Sequence, residues 1–334
     1  MKPMNQWKQD FLNKSMSEVG IPEFRSQIKP DNSLYFAGSC FASQLHSFWQ
    51  DHFLPGRTAP FGNIYNPESL RAAFELLLSG RKLDESELFF HQDLWRHSLF
   101  DTLKSSPHKK ILLRNLNRAL GTHREYLKGC RFMVITVGTA WVYRDKKTGM
   151  VVNNCHKRPG SDFERVCMTS DKIGESLSSF CRIVSNSLPD ITFIMTLSPV
   201  RHLRDSATEN SLSKALLRCG LNDLCKQQEN TEYFPSYEIM MDELRDYRWY
   251  AEDLSHPSPR ASHYIMHRFC GAAGTEELQK YLPLAEKLKN MMDHRLRFPD
   301  STQGIKFKEK LNRDLEGFRK VFPFADLPDP DSSS

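Results

Sequence analysis

No apolar run in the chain is long enough to cross a bilayer, and the opening Met-Lys-Pro-Met-Asn-Gln-Trp-Lys-Gln-Asp lacks the apolar centre of a secretory signal. Membrane insertion is therefore not expected, and a cytoplasmic location is the default. The eight cysteines include no Cys-x-x-Cys pair, so scattered free thiols are expected rather than disulfides or a zinc site. Charge of one sign is also scarce: 46 Lys and Arg against 41 Asp and Glu leave +5, too small an excess over 334 residues to imply a nucleic-acid partner. An acidic substrate is permitted by that balance but not indicated. The absence of an internal repeat or an interior linker argues for one main domain.

What is present suits a globular chain. Hydrophobic residues make up 39% and charged residues 26%, enough to bury a sizeable core. Apolar runs predict buried strands at Ser33–Ala37, Phe132–Val137 and Ile191–Leu197, the second of them continuous and rich in β-branched residues. A short strand is expected between Phe53 and Gly62, and another over Glu232–Ile239. Helical periodicity places Phe41, Leu45, Phe48 and Trp49 on one face, and Asn66-Pro67-Glu68 reads as a capped helix start. Further helices are expected over 107–127, 171–188, 211–227, 275–296 and 303–321, the first with a possible break at Gly121-Thr122. Trp141–Arg144 and Gly149–Asn153 read as a hairpin, followed by a loop. The alternation of strands and helices predicts a mostly parallel sheet with helices on both faces. The chain then divides into an arm (1–30), a catalytic domain (31–272), a helical extension (273–325) and a disordered tail (326–334).

Two stretches carry chemistry. Gly38-Ser39-Cys40 falls where a strand gives way to a helix, at which α/β enzymes expose nucleophiles beside free backbone N–H groups. Asp253-Leu254-Ser255-His256 spaces a carboxylate three residues before an imidazole, so that the Asp can turn back and fix the tautomer. Ser39, Asp253 and His256 would make a triad in that chain order. The same spacing also suits a loop that Asp253 merely tethers.

Gly38-Ser39-Cys40-Phe41-Ala42 resembles the signature of the GSCFA family. Other blocks similar to that family follow in order: Pro60–Pro67, Val137–Trp141, Asn154–Lys157, Ser198–Arg201, Ser213-Lys214, Tyr233–Glu238 and Asp253–Pro257. The family is similar to SGNH/GDSL hydrolases, which implies a three-layer α/β/α sandwich with a flavodoxin-like strand order. It also implies a Ser39 nucleophile whose N–H is one oxyanion donor, with Gly62 adding a second. No cofactor or metal is implied. Where the usual opening is Gly-Asp-Ser, this chain has Gly-Ser-Cys, so Cys40 sits beside the expected nucleophile and could compete for its role. The third block lacks the usual Asn side chain, so either Thr139, Asn63 or a more distant side chain substitutes, or the enzyme is slow or does something other than plain hydrolysis.

The resemblance implies a serine esterase acting on a small-molecule or carbohydrate ester, with O-acetyl groups of a carbohydrate as the expected substrate. An O-acyltransferase of glycan assembly is the second reading, and a non-catalytic carbohydrate-binding protein the third. Cys40, His97, Trp141, His156, Lys157 and Arg201 are expected to contact substrate. His156 could equally belong to a structural loop. Arg201 could bind a carboxylate or phosphate, or pair with Asp205 at the surface.

Overall fold

The computed structural model describes residues 17–328. Residues 1–16 of the expected arm and 329–334 of the expected disordered tail lie outside the described residues. Five strands form the central sheet: β1 (Ser33–Gly38), β2 (Gly56–Thr58), β5 (Cys130–Val137), β9 (Thr192–Leu197) and β10 (Thr231–Phe234). Two hairpin strands, β3 (Phe89–His91) and β4 (Leu94–Arg96), and three outer strands, β6 (Trp141–Asp145), β7 (Val151–Val152) and β8 (Phe163–Cys167), stand apart from it. All pairs in the central sheet are parallel, in the order β2-β1-β5-β9-β10. This is the expected flavodoxin-like arrangement.

Both faces are covered because side chains alternate along buried strands. Tyr35, Ala37, Met133, Ile135, Phe193 and Met195 face helices α2 (Pro67–Leu78), α3 (Lys109–Leu127), α4 (Ser170–Ser187) and α5 (Ala207–Gln227). Leu34, Phe36, Phe132, Val134 and Ile194 face α1 (Cys40–Asp51), α6 (Pro259–Ala273) and α7 (Glu276–Met292). A last helix, α8 (Thr302–Val321), packs Phe318 against Tyr281 and Phe53. Asn66 caps α2 by accepting the Ser69 N–H at 2.8 Å, as Asn-Pro-Glu predicts.

Several elements differ from expectation. α3 runs unbroken through Gly121-Thr122, because neither residue removes a helical N–H. β8 stands where a loop was expected and pairs antiparallel with β6. Its central residues are exposed, so the sequence carries no alternating apolar signal there. β10 stops at Phe234: Pro235 cannot donate to a ladder, and the chain turns into a helical turn and then a π-turn over Ile239–Glu243. At the other end, Asp326 donates its N–H to the Phe53 carbonyl at 2.8 Å.

Residues 17–30 lie along the body. Val19 N–H bonds the Glu243 carboxylate at 2.7 Å, and Ile28 forms a parallel bridge to Gly274. The strand order reverses between β1 and β5, which opens a crevice at their carboxyl ends.

Candidate active site

Three loops meet at that crevice. After β1 comes Gly38-Ser39-Cys40; after β5, Gly138-Thr139-Ala140; after β9, Ser198 to His202. Gly38 has φ +129°, and a Cβ there would stand 2.0 Å from the Thr136 carbonyl oxygen, so only glycine lets β1 turn this close to β5. Gly138 leaves room of another kind: a Cβ would stand 3.1 Å from His202 Nε2 and 3.3 Å from Ser39 Cβ.

Ser39 is the N-cap of α1 and has no exposed surface. Its Oγ accepts the Phe41 N–H at 3.3 Å and lies 2.9 Å from Thr136 Oγ1, while its own N–H is bonded to the Thr136 carbonyl and hydroxyl. The expected nucleophile thus faces into the sheet, its hydroxyl used in capping. Its N–H, one of the expected oxyanion donors, is likewise taken.

The next residue faces the crevice. Cys40 Sγ lies 3.3 Å from His256 Nε2, and His256 Nδ1 lies 2.6 Å from Asp253 Oδ2. The sequence builds this loop locally. Asp253 Oδ1 accepts the backbone N–H groups of Ser255 and His256, both at 2.9 Å, and Leu254 takes a left-handed φ of +56° so that the chain can turn. Those bonds, first the His256 N–H, hold the Asp253 carboxyl down at about 2. Asp253 and His256 therefore meet as expected, but the atom facing the free imidazole nitrogen is sulfur.

Burial raises the Cys40 pKa; the Lys214 charge and the N–H groups at the start of α1 oppose that rise. Lys214 was not anticipated as a site residue. It is only 2% exposed, and its Nζ donates to the Ser198 carbonyl at 2.7 Å. Burial lowers its pKa to about 7, against the pull of Cys40. The signal was present in the sequence, because Lys214 shares its helix face with Leu217 and Leu221.

The remaining expected residues divide. Thr139 lines the cleft, but its Oγ1 accepts the Trp141 N–H and lies 3.3 Å from Ser213 Oγ. Gly62 has φ +78° and abuts Asp101, whose Oδ2 would stand 2.1 Å from a Cβ; it does not line the cleft. Asn63 lies behind Tyr65, its Nδ2 donating to the Tyr65 hydroxyl at 3.4 Å. Tyr65 does line the cleft, and burial, then proximity to Cys40, raises its pKa.

His97 is buried, accepts the Leu99 N–H at 3.1 Å, and lines a neighbouring cavity instead. His156 reaches the cleft wall, but its side chain is buried and its Nε2 is held 3.0 Å from the His97 carbonyl. That is the structural-loop alternative. Trp141, Lys157 and Arg201 line the cleft, which has a volume of about 750 Å³. His202, which follows Arg201 at the same rim, has its Nε2 buried without a partner, and burial lowers its pKa to about 4. Among the described residues no group of three or more His, Cys, Asp or Glu is arranged to hold a metal, and no helix is long and apolar enough to cross a membrane.

The fold and crevice define an open α/β protein with a hydrogen-bonded row of thiol, imidazole and carboxylate at its strand-order reversal. More particularly, the chain belongs to the GSCFA family, whose model matches residues 33–269. No curated protein matches the chain. Among solved structures it is similar to an acetyl xylan esterase from the rumen bacterium Butyrivibrio proteoclasticus, at 9% identity and TM-score 0.39, over 76% of this chain and 64% of that one. It is also similar to a GDP-L-fucose synthetase from Naegleria fowleri bound to NADP, at 12% identity and TM-score 0.21, over 92% of this chain and all of the other. At those TM-scores neither likeness bears on what the cleft does.

Proposed function

We propose that this protein is an acyl ester hydrolase of SGNH-like design whose nucleophile is Cys40. The observation that carries the reading is the row from Cys40 Sγ through His256 to Asp253, with 3.3 Å and 2.6 Å between successive members. His256 Nε2 takes the thiol proton, and the thiolate attacks the ester carbonyl. The tetrahedral oxyanion forms beside the start of α1, where the Cys40 N–H, at the first helical position, has no partner within the helix. Tyr65 is the second donor: its oxygen accepts from Asn63, which leaves its own proton for the oxyanion. The intermediate collapses to a thioester as His256 returns the proton to the departing alkoxide. Water, deprotonated by His256, then attacks the thioester, and the acid leaves as the thiol re-forms. Asp253 holds the imidazole tautomer throughout.

Acyl transfer is the second reading, because a cleft of about 750 Å³ has room for an acceptor alcohol beside the acyl group. The acceptor hydroxyl would then take the place of water. The half-buried aromatic rings that line the cleft, Trp141 and Tyr143, suit a carbohydrate on either side of the ester.

The test compares wild type with Ser39→Ala, Cys40→Ala and His256→Ala on short 4-nitrophenyl esters, with iodoacetamide and a fluorophosphonate as labels. Cys40→Ala and His256→Ala should lose turnover, iodoacetamide should inactivate wild type, and Ser39→Ala should remain active. Fluorophosphonate labelling that disappears with Ser39→Ala would restore the serine mechanism. Acceptor sugars that speed nitrophenol release without releasing more free acid would establish transfer.

A further inference from the structure

We infer that the cleft recognises a substrate carrying an oxyanionic group, a carboxylate or a phosphate, and that Arg201 is its principal ligand. This names the substrate class for the reaction proposed above and rests on that reading.

The argument comes from how charges in the cleft are already committed. Two of its guanidinium groups are satisfied: Arg158 bonds Asp145 at 2.6 Å and Asp162 at 3.0 Å, and Arg165 pairs with Asp205 while lying 3.8 Å over the Trp141 ring. Asp205 is the carboxylate that sequence proximity offers to Arg201, and it is occupied from another strand. The other carboxylate lining the cleft, Asp253, is spent on His256. Both cleft carboxylates therefore have partners.

Three cations at the same wall do not. Among the described residues, no carboxylate lies within ion-pair distance of Arg201, Lys157 or Arg204, although all three line the cleft with Cys40 and His256. Lys157 and Arg204 are exposed, whereas Arg201 is half-buried. Arg201 is also the best positioned. Its N–H bonds the Ser255 carbonyl at 3.0 Å, which fixes it to the loop that carries Asp253 and His256, and its guanidinium lies 5.6 Å from the Tyr250 ring centroid. The guanidinium also lies near the Tyr250 hydroxyl, and with no carboxylate partner its remaining N–H groups can meet the paired oxygens of a carboxylate or phosphate.

The direct test is titration calorimetry of the full chain with adipate and, separately, with inorganic phosphate. Wild type should bind at least one of them; adipate alone points to a carboxylate substrate, phosphate alone to a phosphorylated one. Arg201→Gln should weaken that binding about 10- to 100-fold, the range for hydrogen bonds to charged groups. Arg201→Lys, which keeps the charge without the fork, should fall between. Arg204→Gln should lose less. Failure of wild type to bind either anion, or unchanged binding in Arg201→Gln, overturns the inference.

Turnover provides the second arm. The kcat/KM for 4-nitrophenyl hemiadipate should exceed that for the hexanoate of equal chain length, and the ratio should fall toward one in Arg201→Gln. A ratio of one in a wild type that binds adipate overturns the substrate class. Cys40-dependent turnover of the neutral hexanoate reports separately on the acyl-enzyme reading, so the two can fail independently.

Discussion

Replacing Lys214 with methionine probes the electrostatics beneath the thiol. The ammonium is 2% exposed and donates to one carbonyl, and burial lowers its pKa from the ordinary 10.5 to about 7. At about 1.36 kcal/mol per pH unit, that difference is worth on the order of 5 kcal/mol. Between pH 7 and 10.5 the unfolded chain holds a proton on this lysine that the folded chain has released. Stability therefore rises with pH through that window, by about 1.4 kcal/mol per unit at most. Below pH 7 both states are protonated, and the full cost of burying the charge is present. Methionine fills a similar volume and does not titrate. Urea unfolding of Cys40→Ala and of Cys40→Ala/Lys214→Met at pH 6, 7, 8 and 9 removes the coupled thiol from the comparison. The methionine chain should be the more stable at pH 6, and its advantage should shrink as pH rises toward 9. Parallel stability curves for the two chains would refute the reasoning, because they would mean that Lys214 titrates alike folded and unfolded.

Three further outcomes are expected. Ser39→Ala removes a helix cap and the hydroxyl–hydroxyl contact with Thr136, whose oxygen keeps the residue 39 N–H, so chemical denaturation should show a loss of about 1–2 kcal/mol. Asp253→Asn frees the imidazole from its tautomer anchor while keeping the loop's shape; kcat on a 4-nitrophenyl ester should fall by about 10²–10⁴, with little change in Tm. Gly220→Ala would set a Cβ 2.4 Å from Ile173 Cγ2 between α4 and α5, and thermal unfolding should register overpacking of about 1–3 kcal/mol.

The layout of the sheet was legible because β1, β5 and β9 are continuous apolar runs that only a doubly covered parallel sheet can bury. Asp253 and His256 were legible for a local reason: three residues apart, they meet through a single turn. The group facing the imidazole was expected one residue earlier, at Ser39, with Cys40 only as its competitor. Serine is a preferred N-cap, and a capping hydroxyl bonds the N–H two residues on, as Ser39 does to Phe41; the first helical residue, Cys40, is then the one left facing the crevice. Laid position by position on Gly-Asp-Ser, Gly-Ser-Cys puts Cys40 rather than Ser39 in the third place. The fate of Arg201 could not be read from its neighbours, because the residue that takes Asp205 is Arg165, forty positions away on a strand with no apolar pattern. Lys214 was in phase with a core face, but lysine is seldom interior, and its register alone did not reveal what it lies beneath.

The stretch shared with the family ends at residue 269, inside α6, which continues to Ala273. Beyond it, Ile28 exchanges backbone bonds with Ala273 and Thr275, and the Tyr281 hydroxyl donates to the His52 carbonyl at 2.8 Å, at the far end of the helix that begins with Cys40. The inherited block that carries the chemistry is thus smaller than the object that has to fold. The segments on either side of it act as a clasp, drawing the entrance and the exit of the block together and bracing from behind the helix whose first turn holds the thiol.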